Sequence, residues 1–287
     1  MKTRMSTANV AGLTLILGSL WSAPAAAAQE AIRETLAATA DGTVKITNAA
    51  GSVRVRGWDR DSVAVTGTLG AGSEGLDFSV TGRETRIRVV LPQGASERLR
   101  GTDLVVRVPR ESHVAVRAAA ADVDVDSVNG VVDAESVSGR VRVAGIPRMV
   151  YAQSSGGDVD VEAMSKVVRA ESVEGTVTVR DARGYVEVST ISGDAVLEGR
   201  DVWEGEVTTV SGRIRFEGSF ADNGSFYFES HSGDIGLSLT GGADPAFEIV
   251  SFSGAVEDSV TNDSDGGGPG SLVKIKTFKG SVRIDRN

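Results

Sequence analysis

The chain has 287 residues, with 30 Lys and Arg against 39 Asp and Glu, a formal net charge of −9, two histidines and no cysteine. The missing thiols exclude disulfides, thiolate metal sites and a lipid-modified cysteine. The acidic balance disfavours nucleic acid and anionic lipid as partners.

Residues 1–28 read as an export signal. Lys2 and Arg4 open it, 13–21 is a short apolar run, and small residues lead to Ala28. Cleavage before Gln29 takes away Lys2 and Arg4 and moves the net charge from −9 to −11. No second apolar stretch of spanning length follows, so the mature chain is expected to lack a membrane span and to work in the periplasm or at the cell surface.

Residues 29–115 are β-rich but irregular. Val44-Lys45-Ile46, Val53, Val55, Val63-Ala64-Val65, Arg86-Ile87-Arg88-Val89 and Leu104-Val105-Val106 alternate, and loops such as 70–75 separate them. We read this stretch as an N-terminal β cap or the first, wider coils of the structure that follows. An open end of a stacked β structure exposes core and strand edge, so a cap is required.

Residues 116–287 carry a repeat. Ser136-Val137-Ser138-Gly139 returns as Ser172-Val173-Glu174-Gly175, Thr190-Ile191-Ser192-Gly193, Thr209-Val210-Ser211-Gly212, Ser230-His231-Ser232-Gly233, Ser251-Phe252-Ser253-Gly254 and Thr277-Phe278-Lys279-Gly280. Ser154-Ser155-Gly156-Gly157 is a weaker copy. From Gly139 the glycines step by 18, 18, 18, 19, 21, 21 and 26 residues. A period near 20 with internal alternation predicts an all-β fold, a parallel β-solenoid or β-helix with two or three strands per coil.

Stacking turns equivalent positions into columns. Two residues after each glycine the column is Val141, Val159, Val177, Ala195, Ile214, Ile235, Val256 and Val282. Four after, it is Val143, Val161, Val179, Leu197, Phe216, Leu237 and Ile284, broken by Asp258. Both should face the core, and the apolar residue inside each Ser-x-Ser-Gly phrase is expected to turn inward as well. The Ser/Thr column three before the glycine should be a hydrogen-bonding ladder at a corner. The loop 262–270, with Asp263 and Asp265, lacks the downstream Glu of a calcium loop and reads as a solvated insertion.

The outward positions alternate in sign. Arg140 and Arg142 should lie over Asp158 and Asp160, and Arg213 and Arg215 fall between Asp194 and Asp234. Such a register is self-explaining as a charge ladder, and it is also the one candidate binding face: Arg140, Arg142, Asp158, Asp160, Arg213 and Arg215. His231 sits in the phrase's apolar slot and His113 in a turn; neither completes a nucleophilic site, because Ser230, Ser232 and Asp234 merely continue the repeat.

The phrase Gly51-Ser52-Val53-Arg54-Val55-Arg56-Gly57-Trp58-Asp59-Arg60-Asp61-Ser62-Val63, then Val108-Pro109, then the Ser-x-Ser-Gly coils resemble the bacterial "putative adhesin" family of β-strand-repeat envelope proteins. The resemblance covers roughly residues 40–287. It implies a β-solenoid in an exported or envelope protein and brings no catalytic residues or cofactor. The expected function is thus a non-enzymatic, adhesin-like or scaffold protein whose partner is a cell-envelope polysaccharide or envelope protein. The alternatives are a polysaccharide lyase or hydrolase using Asp158 or Arg142, and a module sensing envelope stress.

Overall fold

The computed structural model describes residues 30–92, 101–241, 245–258 and 270–286. The expected export signal and the Asp263/Asp265 loop lie outside them. Among the described residues the regular structure is all strand. No helix there is long and apolar enough to cross a membrane.

Each regular coil supplies one strand to each of two parallel stacks. In the first stack Val131–Ser136, Met149–Ser154, Val167–Ser172 and Tyr185–Thr190 pair in register, followed by 204–209 and 225–230. In the second, Val141–Gly145, Val159–Ala163 and Val177–Ala182 pair, followed by the starts of Ala195–Thr209 and Ile214–Ser230 and by Ile235–Leu239. Alternation explains the pairing: Val150 and Ala152, or Val159 and Val161, are buried, and their neighbours face outward. The inward residues of both stacks form one continuous core. The expected inward columns are therefore present as far as Ile235 and Leu237, and again at Val282 and Ile284.

The corner between the stacks is built by the repeat phrase. Ser172 Oγ donates to the carbonyl of Gly157 in the coil before, at 3.0 Å, and accepts the N–H of Gly175 in its own coil, at 2.9 Å. Ser136, Ser154, Thr190, Thr209 and Ser230 repeat this pair of bonds. The glycine is required by proximity: a Cβ on Gly193 would stand 1.9 Å from the carbonyl oxygen of Gly175.

Contrary to expectation, the apolar residue after each Ser/Thr does not turn inward. Because the hydroxyl occupies the inward place, its successor points out, and Val137, Val173, Ile191, Val210, Phe252 and Phe278 are all exposed.

Chain order and stacking order differ at both ends. Thr43–Trp58 spans both stacks and lies between Glu84–Val90 with Thr102–Pro109 on one side and His113–Asp126 on the other. Antiparallel strands Gly75–Thr81, Ser62–Thr68 and Ala31–Ala37 finish that end. At the other end Leu272–Lys279 and Val282–Arg286 insert between the coil of 225–239 and the strands Ala246–Ser253 and Val256–Asp258. The inserted coil buries Val273, Ile275, Val282 and Ile284, whereas Val250, Phe252 and Val256 of the outermost coil stay exposed. The break at Asp258 in the apolar column is thus the register place of the last strand, opposite Ile284.

Towards this end the core changes from Val and Ala to Phe. Phe216 and Phe220 stack with centroids 4.6 Å apart, and Phe226 and Phe228 pack around them. Gly205 makes the room, since a Cβ there would meet the Phe226 ring at 2.7 Å.

Two substitutions test the corner. Ser172→Ala leaves a buried carbonyl and N–H without a partner and is expected to cost about 1–3 kcal/mol. Gly193→Ala forces two coils apart and is expected to cost about 1–3 kcal/mol as overpacking. Both are read from the urea unfolding midpoint; an unchanged midpoint for either would contradict the corner as described.

Candidate functional site

The six candidate face residues all lie on the outer side of the second stack, in two separate groups. Arg142 and Asp160 are register neighbours, and Arg140 pairs with Asp158 at 3.8 Å. Arg213 and Arg215 lie three coils further on, beyond Thr178 and Val196.

Within the first group the charges are internally committed. Arg142 reaches Glu162 at 3.1 Å and Asp124 at 4.0 Å, and Asp160 is held by Arg180 at 3.0 Å. The ladder therefore pairs diagonally more than across. Asp158 also braces the corner, where its Oδ1 accepts the backbone N–H of Thr176 in the next coil at 3.0 Å. Asp122, Asp194 and Asp234 do the same for Arg140, Arg213 and Ser281. Aspartate after the repeat glycine is thus a corner acceptor, and an enzyme reading that needs a free Asp158 or Arg142 finds both occupied.

The second group is different. Arg213 holds Asp194 at 3.1 Å, but Arg215 has no ion-pair partner among the described residues. Its register neighbour is Gly236, and beyond that stands Arg283, paired with Glu257 at 3.1 Å. A Cβ on Gly236 would meet nothing within 4 Å. The missing side chain opens a shallow depression of about 510 Å³, bounded by Arg213, Arg215, Arg283, Asp194, Asp234 and Glu257. Arginine forks and carboxylates around such a floor can donate to and accept from a polyol.

Gly236 and Arg283 were not foreseen from the sequence. In chain order the neighbour of Gly236 would be Glu257; the inserted final coil puts Arg283 there instead. A glycine at an outward strand place, where no close contact requires it, was the available signal.

The outer side of the first stack carries the tyrosines. The Arg169 guanidinium lies 5.9 Å from the Tyr151 ring centre and 5.8 Å from that of Tyr185, and it holds Glu187 at 2.8 Å. Tyr227 donates to Glu229 at 2.5 Å, and Lys276 holds the same carboxylate at 3.0 Å. Partial burial, then the Glu229 bond and charge, push the Tyr227 phenol up to about 12. The Tyr227 bond, followed by Lys276, holds Glu229 below the usual carboxylate range.

The third surface is the corner itself, where the outward residues of the repeat phrase form one column. Their stacking order is Val137, Ser155, Val173, Ile191, Val210, His231, Phe278 and Phe252, because the adjoining Ser/Thr positions pair in that order. Phe278 is sandwiched between His231 and Phe252, with centroids 5.1 and 4.8 Å away and nearly parallel rings. His231 is therefore a surface member of an apolar column, and Ser230 is spent on the Gly233 and Gly212 bonds. No group of His, Asp and Glu among the described residues could hold a metal ion.

A family profile described as Toastrack DUF4097 matches residues 39–284. No curated protein matches the chain. Among solved structures, a "putative adhesin" of Bacteroides fragilis is 12% identical, with 90% of this chain and 98% of that one covered and a TM-score of 0.50. A "putative adhesin" of Parabacteroides distasonis is 11% identical, with 89% and 97% covered and a TM-score of 0.41. A "putative cell adhesion protein" of Clostridium sporogenes is 9% identical, with 90% and 100% covered and a TM-score of 0.31. At these identities the Bacteroides likeness speaks for the fold alone.

The tyrosine face yields a pH prediction. A phenol whose folded value is raised from 10.0 to about 12 contributes stability that is intact below the unfolded value and is lost as pH rises from about 10 towards 12. Burial, then Glu187, pushes the Tyr185 phenol up as well, so ultraviolet titration should show late phenolate ionisation whose last part Tyr227→Phe removes. Three tyrosines ionising together near the ordinary value would contradict the assignment.

Proposed function

The chain belongs to the Toastrack DUF4097 family, and from that premise we propose that it is an exported, non-enzymatic, adhesin-like protein of the bacterial envelope. In this reading residues 29–115 close one end of the solenoid, 116–287 carry the binding surfaces, and the ligand is a cell-envelope polysaccharide. The Bacteroides fragilis structure that shares the fold is named a "putative adhesin", and the proposal takes its class of function from that name.

The observation that carries the reading is the depression over Gly236. There the repeat places cationic forks and carboxylates around an open floor, and it leaves the Arg215 guanidinium free to bond a ligand. Strand spacing of about 4.8 Å sets the interval between successive outward side chains, so a repeating polymer can meet several coils at once. Contacts that are weak singly then add by multivalency. The Arg140, Arg142, Asp158 and Asp160 group extends the same face, with its charges already paired, and serves as a polar, hydrogen-bonding flank.

The test is a glycan array probed with the purified protein, followed by titration of the best sugar. Arg215→Ala removes a charge-assisted bond of about 1.5–3 kcal/mol and should weaken binding about tenfold or more. Arg88→Ala, in the N-terminal strands away from this face, should leave the affinity within about twofold, as expected of a screened surface pair. Failure to bind any envelope polysaccharide, or equal losses from the two variants, would remove this reading.

A further inference from the structure

Soluble monomers rarely expose long contiguous apolar patches. Here one runs along a whole edge: Val173, Ile191 and Val210 continue into the stacked rings of His231, Phe278 and Phe252, all exposed. At about 4.8 Å per coil the column from Val137 to Phe252 is about 34 Å long. Nothing in the fold needs it. The corner is held by the Ser/Thr hydroxyls and the glycines, and the outward side chain of the phrase contributes no bond to them. Ser155 shows that a small polar residue satisfies the same place.

The charges beside this column are unevenly placed. In the coil of Val173 stand Glu171 and Glu174, neither with an ion-pair partner among the described residues. Four coils along, in the coil of Phe278, stand Lys276 and Lys279. Lys276 holds Glu229 of its own chain; Lys279 has no ion-pair partner among the described residues. The coils of Ile191 and Val210 carry Ser189, Thr208, Ser192 and Ser211 in the flanking places, all uncharged. The two charged coils are thus equidistant from Val210, with opposite signs.

We propose that this edge is a self-complementary interface through which two copies of the chain pair antiparallel, about a two-fold axis that passes by Val210 in the interface and perpendicular to the stack. That operation lays Val210 on its own equivalent, Ile191 against His231 and Val173 against Phe278 of the second copy. It keeps each flanking column opposite its own kind, so Glu171 faces Lys276 and Glu174 faces Lys279, twice over. A parallel pairing would set Glu against Glu and Lys against Lys, which like-charge repulsion penalises. The interface is isologous, as closed dimers require.

Its size sets its strength. Four residues across, at about 3.3 Å each, give a strip about 13 Å wide, hence about 450 Å² per copy. That is below the roughly 800 Å² per partner of standard stable complexes, so a weak, readily reversible pairing is expected. This proposal is independent of the polysaccharide reading, because the depression over Gly236 lies on a different face.

The experiment is sedimentation equilibrium of the purified protein from low micromolar to submillimolar concentration. A reversible monomer–dimer equilibrium is expected. Glu174→Lys and Lys279→Glu, each alone, should raise the dissociation constant about tenfold or more. The double variant E174K/K279E restores opposite signs across the axis and should recover the affinity to within about threefold. Ile191→Asp, at an exposed place, should abolish dimerisation with an unchanged circular dichroism spectrum. A protein monomeric at every concentration overturns the proposal, and would leave the edge to a polymer or a different protein. A dimer indifferent to these variants, or a double variant as weak as the single ones, overturns it equally.

Discussion

The structure depends on one buried hydroxyl per coil. A serine or threonine at the corner donates to the glycine carbonyl of the coil before and accepts from the glycine N–H of its own coil. Both bonds are made inside the protein, where an unpaired polar group would cost about 1–3 kcal/mol. They fix the distance between coils and the place where the chain changes stack. The glycine follows from the same closeness, since a methyl there would collide with the carbonyl below. Parity then decides the rest. With the hydroxyl inward, the next residue must face solvent, and an apolar side chain at that place becomes surface. The exposed edge is therefore a consequence of the corner.

The ends are handled by departing from the repeat. A stack of identical coils would finish in bare strand edges and open core. At the start, antiparallel strands pair outside the parallel ones, and Thr43–Trp58 is enclosed by strands from later in the chain. At the finish, the most apolar coil slips inside and leaves the poorer one outermost. The hydroxyl ladder stops there too: Thr277 and Ser251 have buried oxygens without partners among the described residues.

Much of this was legible in the sequence, because the repeat marks the coil and alternation marks the inward face. Val141, Val159, Val177 and Phe216 occupy the core as their spacing requires. The direction of Val137 and Ile191 was not legible, since hydrophobicity argues for burial and only the paired demands of the hydroxyl and glycine reverse it. Stacking order at the ends was hidden for another reason: pairing is decided by three-dimensional competition among strands of similar pattern, and nothing local records the winner. Asp258 came nearest to doing so, as a charged residue in an apolar column that suits only the end of a stack. The depression over Gly236 was lost with that order, because its wall Arg283 arrives from the displaced coil.

The regular coils and the irregular ones divide the work between them. Where the period is 18, each coil repeats the one before, and Arg142, Arg169 and Arg180 all find carboxylates. Beyond Gly193 the coils lengthen to 19 and 21 residues, because Phe216, Phe220, Phe226 and Phe228 need a wider cross-section than valine and alanine do. The registers shift in the same place, between Gly199 and Glu204. Arg183, Arg200 and Arg215 stand around this transition without ion-pair partners among the described residues, and depressions of about 420 and 510 Å³ lie beside them. The coils that depart from the strict repeat thus differ from the regular ones in core packing and in outer charge together.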